Sequence, residues 1–187
     1  MAQDTEGEEA AGQYYDKANV TFTSLLDPQH TVTALYGMVN VPTGVWIDEE
    51  GKIVRAPEVA YSKGYDFGGL KAGQELYAQA LRDWILQGKK SPYVTPKDEL
   101  LKSLVPKNPE RALADAHFKL AVHLHAQGSV EEAARNWKKA QALAPENWNY
   151  HRQEWVFEPA SSSSKWKAKF DKLGDQPYYE PADLGGS

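Results

Sequence analysis

The sequence of 187 residues contains no cysteine. Disulfide bonds, thiolate metal sites and a cysteine nucleophile are therefore excluded for this chain. It also lacks any apolar run near the roughly 18 residues of a membrane-spanning helix. The N-terminus MAQDTEGEEA has neither the basic flank nor the apolar core of a signal peptide. If Met1 is the true start, we expect a cytoplasmic protein without a membrane partner.

Positive charge is scarcer than negative charge. The chain has 21 Lys and Arg against 26 Asp and Glu, a net charge of −5, and its basic residues are scattered along the sequence. A nucleic-acid partner is not expected, because such a surface gathers its basic residues in one patch or stripe. The hydrophobic fraction of 41% is ordinary for a globular protein that buries its own core.

The first part of the chain mixes helical and extended patterns. Thr5 and Glu8 have the spacing of a capping box, which predicts that a helix begins there. The run NVTFTSLLDP predicts a short strand that ends in a turn. The next run, QHTVTALYG, predicts a short helix with Leu35 on its buried face.

A β-hairpin is the clearest local prediction. The runs GVWID and KIVRA are rich in strand-forming residues and are separated by EEG, whose glycine suits a tight hairpin loop. Trp46 is expected to pack under a helix as an ordinary sheet residue. Apolar residues at helical spacing over residues 71–87 predict that helix, which would cover one face of the sheet.

Residues 114–147 predict two antiparallel helices that are joined at Gly128. The small side chains of Ala121 and Ala133 would let the helices approach closely, while Trp137 would fill the groove between them. This spacing resembles one tetratricopeptide repeat, whose period is about 34 residues. We expect one such unit with flanking helices rather than an array.

Local signals mark where these helices begin. Asn108 is expected to cap the first helix, with Pro109 in its first turn. Ser129 and Glu132 have the spacing of a second capping box. Upstream, KKSPYVTP has the composition of an interdomain linker.

Aromatic residues are frequent near the C-terminus. They are expected to pack the last helices onto the repeat and the sheet domain, and the alternative is an exposed aromatic groove for a partner peptide. The final run DQPYYEPADLGGS is predicted to be a flexible tail. The aromatic residues concerned are Trp148, Tyr150, Trp155, Phe157, Trp166, Phe170, Tyr178 and Tyr179.

The run LLDPQHTVTALYGMVNVPTGVWIDEEGKIV resembles the second part of a thioredoxin-like redoxin. ResA-like thiol-disulfide oxidoreductases and peroxiredoxin relatives have this order of elements, and the resemblance covers residues 2–90. It implies that Pro42 is a cis-proline and that Val41 offers backbone groups to an extended thiol substrate. Val41, Pro42 and Thr43 are thus the predicted substrate-binding residues. Without the resemblance, they would be an ordinary loop before a strand.

The resemblance also implies a reactive cysteine on a helix that would precede Ala2. We therefore expect the downstream portion of a longer redoxin, with a partial sheet whose exposed edge could form a homodimer or a domain swap. One hypothesis is a truncated selenoprotein, in which the reactive position is a selenocysteine whose TGA codon reads as a stop.

Cofactor and metal sites are not expected. His123 and His125 are two residues apart on a predicted helix and point to different sides, whereas a helical zinc pair is spaced by about four residues. His117 adds no such pair. The sequence also contains no Gly-rich phosphate loop after a strand and no G-x-S-x-G elbow.

The predicted fold class is α/β plus all-α. A partial thioredoxin-like sheet domain would occupy residues 1–90, and a helical domain similar to a tetratricopeptide repeat would occupy residues 91–187. The functional hypotheses are an antioxidant thiol-disulfide or peroxide oxidoreductase that is inactive without cysteine, a non-enzymatic interaction module, and a truncated product without a role. The expected partner is a protein thiol substrate or another partner protein.

Overall fold

The computed structural model describes residues 1–61, 70–104, 108–179 and 182–184, with the backbone alone at residues 70–72. This part of the chain is mostly helical and carries one small antiparallel sheet. None of its helices combines the length and the apolar composition needed to cross a membrane.

In chain order the elements are α1 (Glu8–Lys17), α2 (Thr31–Leu35), β1 (Thr43–Ile47), β2 (Ile53–Val59), α3 (Leu70–Gln87), a 3₁₀ turn (Gly88–Lys90), α4 (Lys97–Ser103), α5 (Pro109–Ala126), α6 (Val130–Leu143), α7 (Trp148–Val156), α8 (Pro159–Phe170) and a second 3₁₀ turn (Asp171–Leu173).

The chain forms two compact units, and each is built from two segments. Unit 1 comprises Met1–Val39 and Lys107–Ala168, and unit 2 comprises Asn40–Pro106 and Lys169–Ser187. This division differs from the boundary at residue 90 that the sequence predicted. The physical reason is that both termini make long-range contacts, which a reading of local composition does not detect.

The core of unit 1 lies between α5 and α6. Ala121 and Ala133 are fully buried, and Trp137 packs between the helices, as predicted. Asn108 caps α5 by accepting a hydrogen bond from the Arg111 backbone N–H at 2.7 Å. These contacts fix a tight helical hairpin.

The predicted capping box at the start of α6 is wrong. The N-cap residue is Ser129, but its side chain makes no capping hydrogen bond. Glu132 instead lies within 3.5 Å of the Arg135 guanidinium, one helical turn further on. The Ser129 N–H, which Glu132 would have accepted, donates to the Leu124 carbonyl at 2.9 Å instead.

The predicted capping box at the N-terminus is also wrong. Helix α1 begins at Glu8, after Gly7 with a φ of +62°, and has no side-chain cap. Thr5 points elsewhere: its backbone N–H and its hydroxyl both donate to Gln153 Oε1 on α7, at 3.0 and 3.1 Å. The Thr5 hydroxyl, which a capping box would use, is therefore bonded to a residue 148 positions away in the chain.

The predicted strand over NVTFTSLLDP does not form. Ala2 and Leu26 make an isolated parallel bridge, and Phe22 remains 69% exposed. In α2, Leu35 is 70% exposed and Thr33 is buried instead. The reason is Asp27, whose carboxylate accepts hydrogen bonds from Thr33 N–H and Thr33 Oγ1 at 2.9 and 3.0 Å and so turns that side of the helix inward.

The predicted hairpin of unit 2 is confirmed. Strands β1 and β2 pair antiparallel, and Gly51 in the turn has a φ of +76°. Trp46 is only 3% exposed, stacks on Trp84 of α3 with ring centroids 5.0 Å apart, and donates to the Tyr77 hydroxyl at 3.1 Å. Helix α3 therefore covers one face of the sheet, as expected.

The segments that were predicted to be an interdomain linker and a flexible tail both pack against the hairpin. In the predicted linker, Thr95 N–H donates to the Val54 carbonyl at 2.9 Å. In the predicted tail, Leu184 joins the core around Trp46. Arg55 connects both segments, because its guanidinium donates to the Tyr93 carbonyl at 2.9 Å and to the carbonyl of Asp183.

Two helical glycines provide a matched test of this packing. A Cβ on Gly73 of α3 would lie 2.5 to 2.7 Å from the Tyr61 ring, whereas a Cβ on Gly12 of α1 would meet Glu8 Cγ at an ordinary 3.5 Å. We expect Gly73→Ala to lower the free energy of unfolding by about 1–3 kcal/mol through overpacking. Gly12→Ala should raise it by about 0.5–1 kcal/mol, because alanine is the better helix former. Urea unfolding measures both, and a stabilising Gly73→Ala would contradict this packing.

Candidate functional site

The predicted substrate residues lie together in the 40–43 loop, which comprises Asn40, Val41, Pro42 and Thr43. The Val41–Pro42 peptide bond is cis, as the resemblance implied. Asn40 is only 6% exposed, and its Oδ1 accepts the Val41 N–H at 2.9 Å. The Thr43 hydroxyl donates to the Asn40 carbonyl, and the Pro42 carbonyl accepts the Ala60 N–H at 3.1 Å. The loop is thus fixed by its own side chains and by the residue that follows β2.

The C-terminal residues of unit 2 contact this loop directly. The Tyr179 hydroxyl donates to the Val41 carbonyl at 2.9 Å. Asn40 Nδ2 donates to the Tyr178 carbonyl at 3.2 Å, and the Tyr178 hydroxyl lies 3.5 Å from Asn40 Oδ1. Asn40, Tyr178 and Tyr179 are site residues that the sequence reasoning missed. Two adjacent tyrosines in a polar terminal run were the available signal, because such amphipathic rings are commonly packed.

The loop is equipped for binding rather than for covalent chemistry. Its polar groups are backbone amides and carbonyls, one buried carboxamide and the Thr43 hydroxyl, which is engaged with Asn40. Cysteine is absent from the whole sequence. A carbonyl such as that of Val41, held before a strand, can accept a hydrogen bond from an extended chain or from a side chain.

A second candidate site is a cleft in unit 1 between α2, α5 and the start of α7. It encloses about 370 Å³, including solvent at its mouth. His30, Arg111, Lys119 and Tyr150 are among the residues that line it. The His30 ring is almost fully buried and meets the Phe118 ring edge-on at 4.9 Å. Within the described residues, neither of its ring nitrogens has a partner at hydrogen-bond geometry.

Burial controls the protonation of this cleft. Burial lowers the pKa of His30, although the charge of Asp27 and the nearby Gln153 side chain oppose that shift. Burial also raises the pKa of Tyr150, and so does the hydrogen bond that its hydroxyl donates to Asp115. At neutral pH the cleft therefore presents a neutral imidazole and a neutral phenol beside the charged Arg111.

The other histidines serve the packing of unit 1. His117 Nδ1 lies 2.8 Å from Asn136 Oδ1, and His125 stacks on Phe157 with ring centroids 3.6 Å apart. In the described residues, no group of three metal-ligating side chains lies close together. The aromatic cluster predicted near the C-terminus is largely buried: Trp148, Tyr150 and Trp155 lie inside unit 1, and Tyr178 lies inside unit 2.

The buried His30 predicts a pH dependence of stability. Its folded pKa is lowered, so just below pH ~6.5 the unfolded chain binds more protons than the folded one. The free energy of unfolding therefore falls as the pH is lowered through this range. The charged groups that act on His30 are Asp27, Asp4 and Lys119. We expect His30→Asn, which tolerates the positive φ at this position, to lose less free energy than the wild type between pH 7.5 and 5.

Urea titrations at the two pH values measure this difference. His123→Asn, on the exposed side of α5, serves as the matched control and should behave as the wild type does. Equal losses in the wild type and in His30→Asn would contradict the role of His30.

Comparisons with protein-family models, with curated proteins and with solved structures found no match to this chain. A function must therefore be inferred from the contacts of the 40–43 loop and from the surfaces of the two units.

Proposed function

We propose that this chain is the substrate-presenting portion of a thioredoxin-like thiol-disulfide or peroxide oxidoreductase. The observation that carries the proposal is the carbonyl of Val41, which accepts a hydrogen bond from a group 138 residues away, the Tyr179 hydroxyl, at 2.9 Å. A loop carbonyl that reaches a donor on a distant segment can equally bind a substrate segment. A backbone N–H of an extended peptide can donate to the same carbonyl, and hydrogen bonds between backbones give affinity largely irrespective of side chains.

The order of elements around the loop supports the proposal. The 40–43 loop leads into β1, the hairpin returns through β2, and α3 then covers one face of the sheet through Trp46. In unit 1, apolar side chains such as Phe22, Leu25 and Leu35 are largely exposed. Exposed apolar surface of this kind fits a redoxin domain that is represented only in part, and it favours association with another chain or segment.

The proposed division of labour follows from the lack of cysteine. Thiol-disulfide exchange needs a thiolate as the attacking group, and this sequence has none. The reactive thiol or selenol must therefore belong to a group outside these 187 residues. The role of this chain is to bind and orient the substrate backbone at Val41 and Pro42, with Thr43 holding the loop closed.

Turnover assays test this proposal. We expect the purified chain to show no insulin reduction and no peroxide consumption above the buffer rate, because no residue in it can form a disulfide. A longer version that carries an upstream cysteine or selenocysteine segment should turn over in at least one of the two assays. Turnover by the 187-residue chain alone, or none by the longer version, would contradict the proposal.

A non-enzymatic interaction module is the alternative function. Leu113 and Leu120 are seven residues apart on α5 and are both exposed, so they lie on the same side of the helix. Such an apolar stripe is typical of helix-mediated contacts with a partner protein. Under this alternative, Leu113→Glu combined with Leu120→Glu would abolish partner binding and leave the turnover of a longer redox protein unchanged. Partner binding that is retained in this double variant would contradict the alternative.

A further inference from the structure

The C-terminal segment of unit 2, defined here as residues 178, 179 and 182–184, is held at two points. One point is the 40–43 loop, where Tyr179 reaches the Val41 carbonyl and Asn40 reaches the Tyr178 carbonyl. The other point is the core of the hairpin, where Leu184 is buried with Trp46. Arg55 strengthens the second point by donating to the Asp183 carbonyl.

The contacts at the loop are of two kinds. Asn40 binds the backbone carbonyl of Tyr178, a group that every residue possesses. Val41 is reached by the phenolic hydroxyl of Tyr179, a group that only tyrosine supplies at that distance from the main chain. The Tyr178 ring is buried and meets the Tyr179 ring edge-on, with centroids 4.4 Å apart. A second aromatic residue therefore holds the tyrosine in position.

We propose that the C-terminal segment is a built-in occupant of the 40–43 loop, and that it must leave the loop before an external tyrosine-bearing peptide can bind there. The proposal rests on the proposed function only for the identity of the external peptide. The Val41 carbonyl is the acceptor that such a peptide would use, and Tyr179 already occupies it. An occupant on the same chain competes at an effective concentration of ~mM, so external peptides bind weakly while it is in place.

The binding test uses the full chain and a labelled peptide. The probe is fluorescein-labelled DQPYYEPADL, which is the sequence of residues 175–184, and fluorescence anisotropy gives its affinity. We expect the probe to bind the Tyr179→Phe chain about fivefold more tightly than the wild type. The reason is that the resident segment of the variant has lost the hydroxyl that reaches Val41, whereas the probe retains it.

Matched variants separate this effect from general loosening of the fold. Tyr15→Phe removes another tyrosine hydroxyl, which donates to the Leu25 carbonyl at 3.2 Å in unit 1, and it should bind the probe as the wild type does. Asn40→Asp retains an acceptor for the Val41 N–H but loses the donor to the Tyr178 carbonyl. By itself it should bind the probe about as the wild type does, because the resident segment and the probe lose the same hydrogen bond.

A second probe with phenylalanine at the position of Tyr179 should bind the Tyr179→Phe chain about fivefold more weakly than the first probe. If that chain loses the near-ultraviolet circular dichroism of the wild type, the two probes are compared on the wild-type chain, where the same ratio is expected. Equal affinities of the two probes, equal affinities of the wild type and Tyr179→Phe, or no binding to any chain would overturn the proposal. Turnover by the chain alone would overturn the redox proposal and leave these binding results standing.

Discussion

Unit 2 depends on the burial of Trp46. A two-stranded hairpin is only marginally stable in water by itself, and it needs a helix or another strand to cover its apolar face. Trp46 supplies that contact, since it stacks on Trp84 and donates to the Tyr77 hydroxyl, and the Arg55 guanidinium lies 5.4 Å from the centroid of its ring. Truncation of a buried tryptophan costs roughly 3–5 kcal/mol, a large share of the stability of a small domain.

The same interaction explains why the C-terminal residues reach the loop. Arg55 is held over Trp46 and donates to carbonyls from two other segments, those of Tyr93 and Asp183. Asp183 follows Tyr178 and Tyr179 by five and four residues in the chain, so its contact with Arg55 limits how far the tyrosines can lie from the hairpin. The C-terminal segment therefore contacts both the hairpin, through Arg55 and the Trp46 core, and the 40–43 loop, through Asn40 and Val41.

Local chemistry was sufficient to predict several elements. The hairpin follows from strand-forming runs around Gly51, and the close helix pair follows from small residues at Ala121 and Ala133. Each of these features depends on residues that are close in the chain, so that a pattern of a few residues carries the information.

Features that depend on distant partners could not be predicted. The run NVTFTSLLDP has the composition of a strand, but a strand forms only where a neighbouring strand satisfies its backbone groups. Thr33 rather than Leu35 is buried because of hydrogen bonds to Asp27. Asn40 and Tyr178 lie 138 residues apart, and the adjacent tyrosines indicate only that their segment packs, not that it meets the loop. The division into two units differs from the predicted boundary for the same reason.

Tyr179 occupies the Val41 carbonyl, and Asn40 holds the neighbouring Tyr178. The most direct measurement is a nuclear Overhauser spectrum of the isotopically labelled full chain in solution. We expect contacts between the ring protons of Tyr179 and the side-chain protons of Val41, with dispersed ring shifts for both tyrosines. Random-coil shifts for Tyr178 and Tyr179, without any contact to the 40–43 loop, would contradict the account.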